Sequence, residues 1–379
     1  MKKIVMFSGP HHEIPPIKGA AIETWINEVS KRIIGYETHI ISISHPFLPI
    51  QEFKDGIYYH RINFSKVYKR IFQKILGWDI LSYQKRIINL IKKLNPDIVH
   101  IHNFANSLEI VEEIRKFNKS CKVILHMHNE NNYFKKNKYP NLEAFVSCSK
   151  YLMKFYSNII DANYKKVVYN GVDIEKFIHD AYIKKSLNLS LKKKENEINI
   201  CYFGRISPEK GVDKIVELAK LFKDHKKYNF FCFGEISKSG DRKTYFDDLL
   251  NKIEQYNVCN IKFSNYITSS KINLAYDCAD IVIIPSKFEE PFGMVALEAL
   301  ASGKIVIASK KGGMIEFLDN KNSIIIEDYE NFASKAKEII LNLTKNQIYD
   351  IKQNALHTAK EFDWINIAIN TERLYNELL

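Results

Sequence analysis

The sequence predicts an α/β protein built from two parallel sheets, each wound with helices on both faces, and three observations carry that expectation. Short apolar runs ending in Gly, His, Asn or Ser alternate with segments of helical period along the chain. These runs fall into two series. At 379 residues the chain also exceeds the size, roughly 250–300 residues, at which a single core stops growing. Strands that alternate with helices are joined by crossovers, which make a sheet parallel and cover both of its faces.

Taken in order, the first series is KIVMFS, THIISIS, DIVHIH, KVILHMH and AFVSCS, and the second is INICYFG, YNFFCFG, NIKFSNY, DIVIIPS, KIVIAS and SIIIE. A boundary is expected after VVYNGVDIEKF (167–177), where the polar, Lys-rich HDAYIKKSLNLSLKKKENE (179–197) bridges to the strand at 198. The closing FDWINIAINTERLYNELL (362–379) sets Trp364, Ile367, Ile369 and Leu374 at roughly helical spacing and closes one of the two domains.

Composition excludes several classes. With 46% hydrophobic and 26% charged residues and no repeat period, the chain is neither disordered nor a solenoid. Only five residues separate Lys3 from Gly9, too few for a signal peptide or a membrane span, so MKKIVMFSGPHHE reads as a first buried strand. The six cysteines contain no C-x-x-C pair and read as reduced core residues of a cytosolic protein. The net charge of +12 is uneven: residues 1–175 hold 26 Lys+Arg against 16 Asp+Glu, and residues 176–379 hold 30 against 28. Nucleic acid, an anionic membrane or an acidic substrate would each account for a basic first half. No nucleic-acid motif accompanies the charge.

Ligands of open parallel sheets bind beyond the carboxyl ends of the strands, so unusual residues matter most there. After the first strand, GPHHEIPPIKGAAIETW places Gly19 and Ala20 at a helix start, which either admits a phosphate closely or simply begins a helix after a proline-rich turn. After the strand at 198, FGRISPEKG (203–211) offers Gly204 with two cations, Arg205 and Lys210, as a diphosphate site or a solvated basic loop. His100, His102, His126 and His128 form two H-x-H pairs at strand ends. Two residues apart on one face, each pair has chelating spacing, yet carboxylate partners are missing, so acid/base or substrate binding fits better than a metal, with a satisfied structural role expected for at least two of the four. EEPFGMVALEAL (289–300) sets Glu290 and Glu298 eight positions apart, about 12 Å along a helix. Glu290 suits a helix cap, whereas Glu298 lies among Val295, Ala296, Leu297, Ala299 and Leu300, where an unpaired charge is costly. A nucleoside-diphosphate sugar has the matching layout of hexose hydroxyls, diphosphate and ribose hydroxyls.

Together, FGRISPEKG and PSKFEEPFGMVALEALASGKIVIASKKGGMIE resemble the nucleotide-sugar half of the family 4 retaining glycosyltransferases of the GT-B fold, of the bacterial polysaccharide-assembly type. The resemblance extends through the Gly19 loop, DIVHIHN, LHMHN, VSCSKYL, YNGVD and the closing Trp-containing helix. It implies two Rossmann-like domains facing a central cleft: residues 1–177 with 362–379 for the acceptor, and 178–361 for the nucleotide sugar. It further implies that Glu290 holds donor hexose hydroxyls, Glu298 the ribose hydroxyls, and the amides of Phe292, Gly293, Met294 and Val295 the sugar and diphosphate. Arg205 and Lys210 would neutralise the leaving diphosphate in place of a metal, with Gly19 and Ala20 completing the phosphate site. The family more often has Gly-Gly where this chain has Gly19-Ala20, which puts the closeness of that contact in question. His128 matches the family's His near the reacting carbon, and His102 and His126 stand beside it as acceptor-side candidates. The expected reaction keeps the anomeric configuration by front-face attack, needs no cofactor or metal, and uses a UDP-sugar. A sugar-nucleotide epimerase and a non-catalytic coat or scaffold relative are the competing functions. Finally, the stretch 66–93 carries eight basic residues against Asp79 alone, interleaved with aromatic and aliphatic ones. It fits an anionic membrane surface and a lipid-linked glycan acceptor at the cytoplasmic face, or else a core-facing helix with a solvated basic side.

Overall fold

Strands β1 (Lys2–Ser8), β2 (Tyr36–Ile43), β3 (Gln51–Lys54), β4 (Ile57–Ile62), β5 (Ile98–His102), β6 (Lys122–Met127), β7 (Leu142–Ser147) and β8 (Ala162–Val167) make one sheet, ordered β3-β4-β2-β1-β5-β6-β7-β8. The computed structural model describes residues 1–17, 19–63, 82–104, 107–131, 142–177, 196–268 and 270–379. Every neighbouring pair of this sheet is parallel except β3–β4. All five residues of β5 are buried, as both-face coverage of a parallel sheet requires. Helices α1 (Ala21–Ser30), α2 (Tyr83–Leu94), α3 (Ser107–Phe117) and α4 (Lys150–Tyr156) lie between the strands in sequence.

A second sheet holds β9 (Ile198–Phe203), β10 (Tyr228–Phe233), β11 (Ile261–Ser264), β12 (Ile281–Ile284), β13 (Ile305–Ser309) and β14 (Ile324–Ile326), ordered β11-β10-β9-β12-β13-β14 and parallel throughout. Its helices are α5 (Ile174–Phe177), α6 (Val212–Leu221), α7 (Asp241–Gln255), α8 (Ile272–Asp277), α9 (Met294–Ala301), α10 (Phe332–Asn342) and α11 (Lys345–Glu361). The chain order reverses between β1 and β5 in the first sheet and between β9 and β12 in the second. Those reversals are where ligand crevices form in doubly wound folds.

The chain divides into Met1–Gly171 with Trp364–Leu379, and Val172–Asp363. The last helix, α12 (Trp364–Leu378), puts Trp364, Ile367, Leu374 and Tyr375 into the core of the first unit. Residues 172–177, grouped with the first domain by the sequence, instead belong to the second. The Val172 N–H donates to the Phe362 carbonyl at 2.9 Å, and the Phe177 ring meets Tyr276 edge-on at 5.7 Å. Buried anchors, not the start of the polar linker, set that boundary.

Three strands escaped the sequence reading, and all lie at the margins of the first sheet. β3 and β4 form a hairpin through Asp55 and Gly56, both at positive φ, the usual Asp-Gly turn signal. β8 (ANYKKV) is an edge strand with alternating exposure, so it carries lysines instead of an apolar run. The cysteines are all free thiols, but Cys259, in a connecting loop instead of a strand, is exposed. Of the basic stretch, residues 66–81 lie outside the described residues; the rest enters α2, which buries Tyr83, Ile87, Ile88 and Ile91 and pairs Lys92 with Glu113 at 3.1 Å. Among the described residues no helix is long and apolar enough to cross a membrane.

Candidate active site

The loops leaving β9 and β12 meet at the reversal of the second sheet, where the Lys287 and Phe288 amides both donate to the Glu209 carbonyl. The loop after β9 passes Gly204 and Arg205 into a short 3-10 turn, Pro208–Lys210, started by a proline whose fixed φ suits it. This turn brings Lys210 to Glu290: Nζ lies 2.7 Å from Oε1, which also accepts from the Ser286 hydroxyl at 2.5 Å. The Lys210 ammonium stands 4.7 Å from the centre of the Phe288 ring. Both partners are largely buried, so the attraction must offset the loss of two hydration shells, and removing either one would strand a charge. Glu290 is also fixed by its backbone, whose carbonyl accepts from the Gly313 amide at 2.6 Å. Gly312 permits that approach: a Cβ there would stand 2.1 Å from the Glu290 carbonyl oxygen, and its φ is +54°.

Arg205 is placed differently. Its side chain is exposed and among the described residues pairs only with Glu209, at 3.9 Å, while its carbonyl accepts from the Tyr202 hydroxyl at 2.6 Å. The two cations of the loop therefore divide, one locked against Glu290 and one open to solvent.

Helix α9 is capped by Gly293, whose φ of +101° disfavours any side chain and where an added Cβ would stand 2.2 Å from the Met314 side chain. The first returning amides are those of Ala296 and Leu297, which donate to the Gly293 carbonyl at 3.0 and 3.2 Å. The Met294 and Val295 amides have no acceptor among the described residues, which leaves the positive end of the helix open to an anion. Phe292 contributes backbone only, since its ring is buried against Phe317 at 5.0 Å. Further along α9, Glu298 accepts a hydrogen bond from the Tyr276 hydroxyl at 2.9 Å, and Tyr276 stacks on Phe203 at 4.1 Å. Burial pushes the Glu298 carboxyl up to about 7, against the pull of the Tyr276 hydrogen bond and Lys176. The polar partner that Glu298 requires is thus a phenol.

In the first unit, Gly19 and Ala20 immediately precede α1, with Ala20 as an extended N-cap that supplies no side-chain bond. The four histidines form one buried cluster. Same-strand rings stack at 4.2 Å (His100–His102) and 4.1 Å (His126–His128), and Trp25 lies within 4.9–6.0 Å of all four centres. The His128 ring is tied at both nitrogens, Nδ1 to Asn170 Oδ1 at 3.2 Å and Nε2 to His102 Nδ1 at 3.1 Å. Burial lowers His100 to about 3 and His128 to about 4, and holds His102 and His126 well below their ordinary value. The four imidazoles at these strand ends therefore stack on one another, and burial disfavours their charged form. One nitrogen each from His100, His102 and His126 falls within 4.8 Å of the others, across two strands instead of within either pair, and no carboxylate among the described residues joins them.

Sequence reasoning missed Ser286 and Tyr276. Ser286 stands four residues before Glu290 in PSKFEE, where it was available to be read. Tyr276 gave no signal, since it reaches Glu298 from a different helix.

Residues 184–357 match the family model described as Glycosyl transferases group 1, and residues 24–176 match Glycosyltransferase Family 4. The lipopolysaccharide 1,2-N-acetylglucosaminetransferase of Salmonella typhimurium is 31% identical over 376 residues, covering 97% of this chain and 96% of its own. Sucrose-phosphate synthase from Thermosynechococcus elongatus superposes with a TM-score of 0.78 at 16% identity, covering 100% of this chain and 99% of that one. Anabaena HepE, solved in complex with UDP-glucose, gives a TM-score of 0.75 at 16% identity and covers 99% of each chain. Those two structures speak for the fold. With the full-length relative and both family models, they show that the chain belongs to the family 4 glycosyltransferases of the GT-B fold.

Proposed function

We propose that the protein is a retaining, metal-independent glycosyltransferase that moves a hexosyl unit from a UDP-sugar to a glycan, free or lipid-linked, in cell-surface polysaccharide assembly. The observation that carries this reading is the Lys210–Glu290–Ser286 cluster set directly before a helix start with open amides. Glu290, paired with Lys210, accepts hydroxyls of the donor hexose. The Met294 and Val295 amides, Lys210 and Arg205 then meet the diphosphate, where preorganised donors act on charge that grows as the glycosidic bond breaks. Glu298 takes the ribose hydroxyls.

In the reaction proposed, the bond from the anomeric carbon to the diphosphate breaks, and the acceptor oxygen attacks from the same face. Its proton passes to a donor phosphate oxygen, so the configuration is kept without a protein nucleophile. The UDP-glucose complex of HepE supports the donor, and the Salmonella relative supports a cell-surface glycan as acceptor. Placement at the cytoplasmic face of a membrane follows from that acceptor and from the basic stretch 66–93.

A thermal-shift screen of UDP-, GDP- and ADP-sugars identifies the donor, because bound ligand stabilises as RT ln(1 + [L]/Kd). Product formed with the responding donor in EDTA, with its linkage read by NMR, tests the rest. An inverted linkage, or activity that needs added Mg²⁺ or Mn²⁺, refutes the mechanism.

A further inference from the structure

Glu13, Glu23 and Glu290 are all buried, yet their partners differ in kind. Glu290 meets the Lys210 ammonium, and Glu13 accepts from the Ile17 amide at 2.9 Å. Glu23, at 4% exposed the most enclosed of the three, has a carboxyl with one bond among the described residues, accepted by Oε1 from the Ser8 hydroxyl at 2.8 Å. No lysine or arginine among those residues pairs with it. A carboxylate offers about four acceptor sites, and burying them empty is costly. Glu23 therefore has bonding capacity to spare.

The helix start does not account for this carboxyl. Glu23 is the third residue of α1, and in a capping box a glutamate there turns back to the amide of the N-cap residue. Here the N-cap is Ala20, and the carboxyl is drawn instead to Ser8, the last residue of β1. Ser8 pairs in register with His102, the last residue of β5, so Glu23 stands at the carboxyl edge where the order of the first sheet reverses. That is the place at which doubly wound folds take their ligands. Beside it, the Tyr83 hydroxyl donates to the Ser8 carbonyl at 3.3 Å, and the Tyr83 ring meets Phe104 edge-on at 6.0 Å. A carboxyl that no cation answers among the described residues is a poor neighbour for a diphosphate and a good one for a neutral hydroxyl donor.

We propose that Glu23 binds the acceptor glycan, its second oxygen, Oε2, accepting a hydrogen bond from a hydroxyl of the acceptor sugar. Arg205, Lys210 and the open amides of Met294 and Val295 all belong to the second unit, which leaves the crevice of the first to the other substrate of a transfer. This assignment rests on the glycosyl transfer proposed above and names a residue on its acceptor side.

The test measures initial rates of the full chain with UDP-N-acetylglucosamine as donor and delipidated lipopolysaccharide, the class of glycan in the name of the Salmonella relative, as the varied acceptor. Glu23→Gln, which keeps the size of the side chain and removes the ionisable group, raises the acceptor KM on the order of tenfold, the scale of one charge-assisted hydrogen bond. Its UDP affinity by calorimetry and its unfolding midpoint stay at the wild-type values. An acceptor KM that does not move overturns the assignment, and a lowered midpoint beside that unmoved KM shows a carboxyl that serves the fold alone. Weaker UDP binding with an unchanged acceptor KM places Glu23 on the donor and overturns it equally. If the wild type transfers nothing to this glycan, the acceptor reading itself falls, and the assignment of Glu23 falls with it.

Discussion

The two units treat polar groups at the carboxyl ends of their strands in opposite ways. In the first, four histidines are packed under Trp25, stacked ring on ring, and kept neutral by burial. In the second, Glu290 is equally buried but meets the Lys210 ammonium and the Ser286 hydroxyl, while Glu298 is pushed towards neutrality and held by a phenol. Burial alone therefore does not mark a reactive group. What separates the clusters is the partner: Glu290 meets a cation, whereas the buried imidazoles meet one another.

The largest expected effect falls on the paired charge. Lys210→Ala should lower kcat by on the order of 10²-fold or more, the scale of losing one preorganised stabiliser of developing charge. It also strands Glu290, so unfolding in urea should show a loss of roughly 3–5 kcal/mol. Arg205→Ala, from an exposed position, should cost a similar factor in kcat with little change in stability. Wild-type rates in either variant break the assignment of the second cluster as the reactive one.

The two glutamates sharpen the same contrast. Glu290→Gln is expected mainly to reduce kcat, and Glu298→Gln mainly to weaken nucleotide affinity, because only interactions that strengthen in the transition state raise kcat. Calorimetry that finds equal UDP affinity for wild type and Glu298→Gln removes Glu298 from the ribose site.

Acid should act on the units in opposite directions. Glu298 titrates near 7 when folded against 4.5 when unfolded, so its contribution is complete below pH 4.5 and lost as pH rises to about 7. That amounts to roughly 3 kcal/mol at about 1.4 kcal/mol per pH decade. His128 titrates near 4 when folded against 6.5 when unfolded, so its contribution is present above pH 6.5 and lost as pH falls towards 4, again roughly 3 kcal/mol. Hydrogen exchange read unit by unit at pH 5 and pH 8 checks the signs. On moving to pH 5 the histidine cluster should lose protection, and the difference that Glu298→Gln makes to the second unit should vanish. Parallel responses contradict the comparison.

The smallest effect is expected at His126, neither of whose ring nitrogens has a hydrogen-bond partner among the described residues. Replacing an unsatisfied polar group by an apolar one is close to neutral, so His126→Leu should change stability at pH 7 by about 1 kcal/mol or less and reduce the loss at pH 5. A large loss at pH 7 in a denaturant melt would show that His126 holds a partner after all.

Much of this architecture was legible along the chain because its signals are local. A buried parallel strand is an apolar run a few residues long, and the eight-residue spacing of Glu290 and Glu298 around Pro-Phe-Gly announces a helix start with a carboxylate on each side. Edge strands escaped because a margin strand such as β8 has no apolar run to display, and the domain boundary shifted because Val172 and Phe177 choose their packing partners from residues about 100 to 190 positions away.

The sequence by itself determined two doubly wound domains and which strand-end loops carry Lys210 and Glu290. Only the tertiary structure decided the partner each of those residues meets. Ionisation depends on burial and on neighbours distant in sequence. Lys210 reaches Glu290 across 80 positions, Tyr276 reaches Glu298 across 22, and Trp25 closes over histidines of β5 and β6 that no spacing shows to be buried.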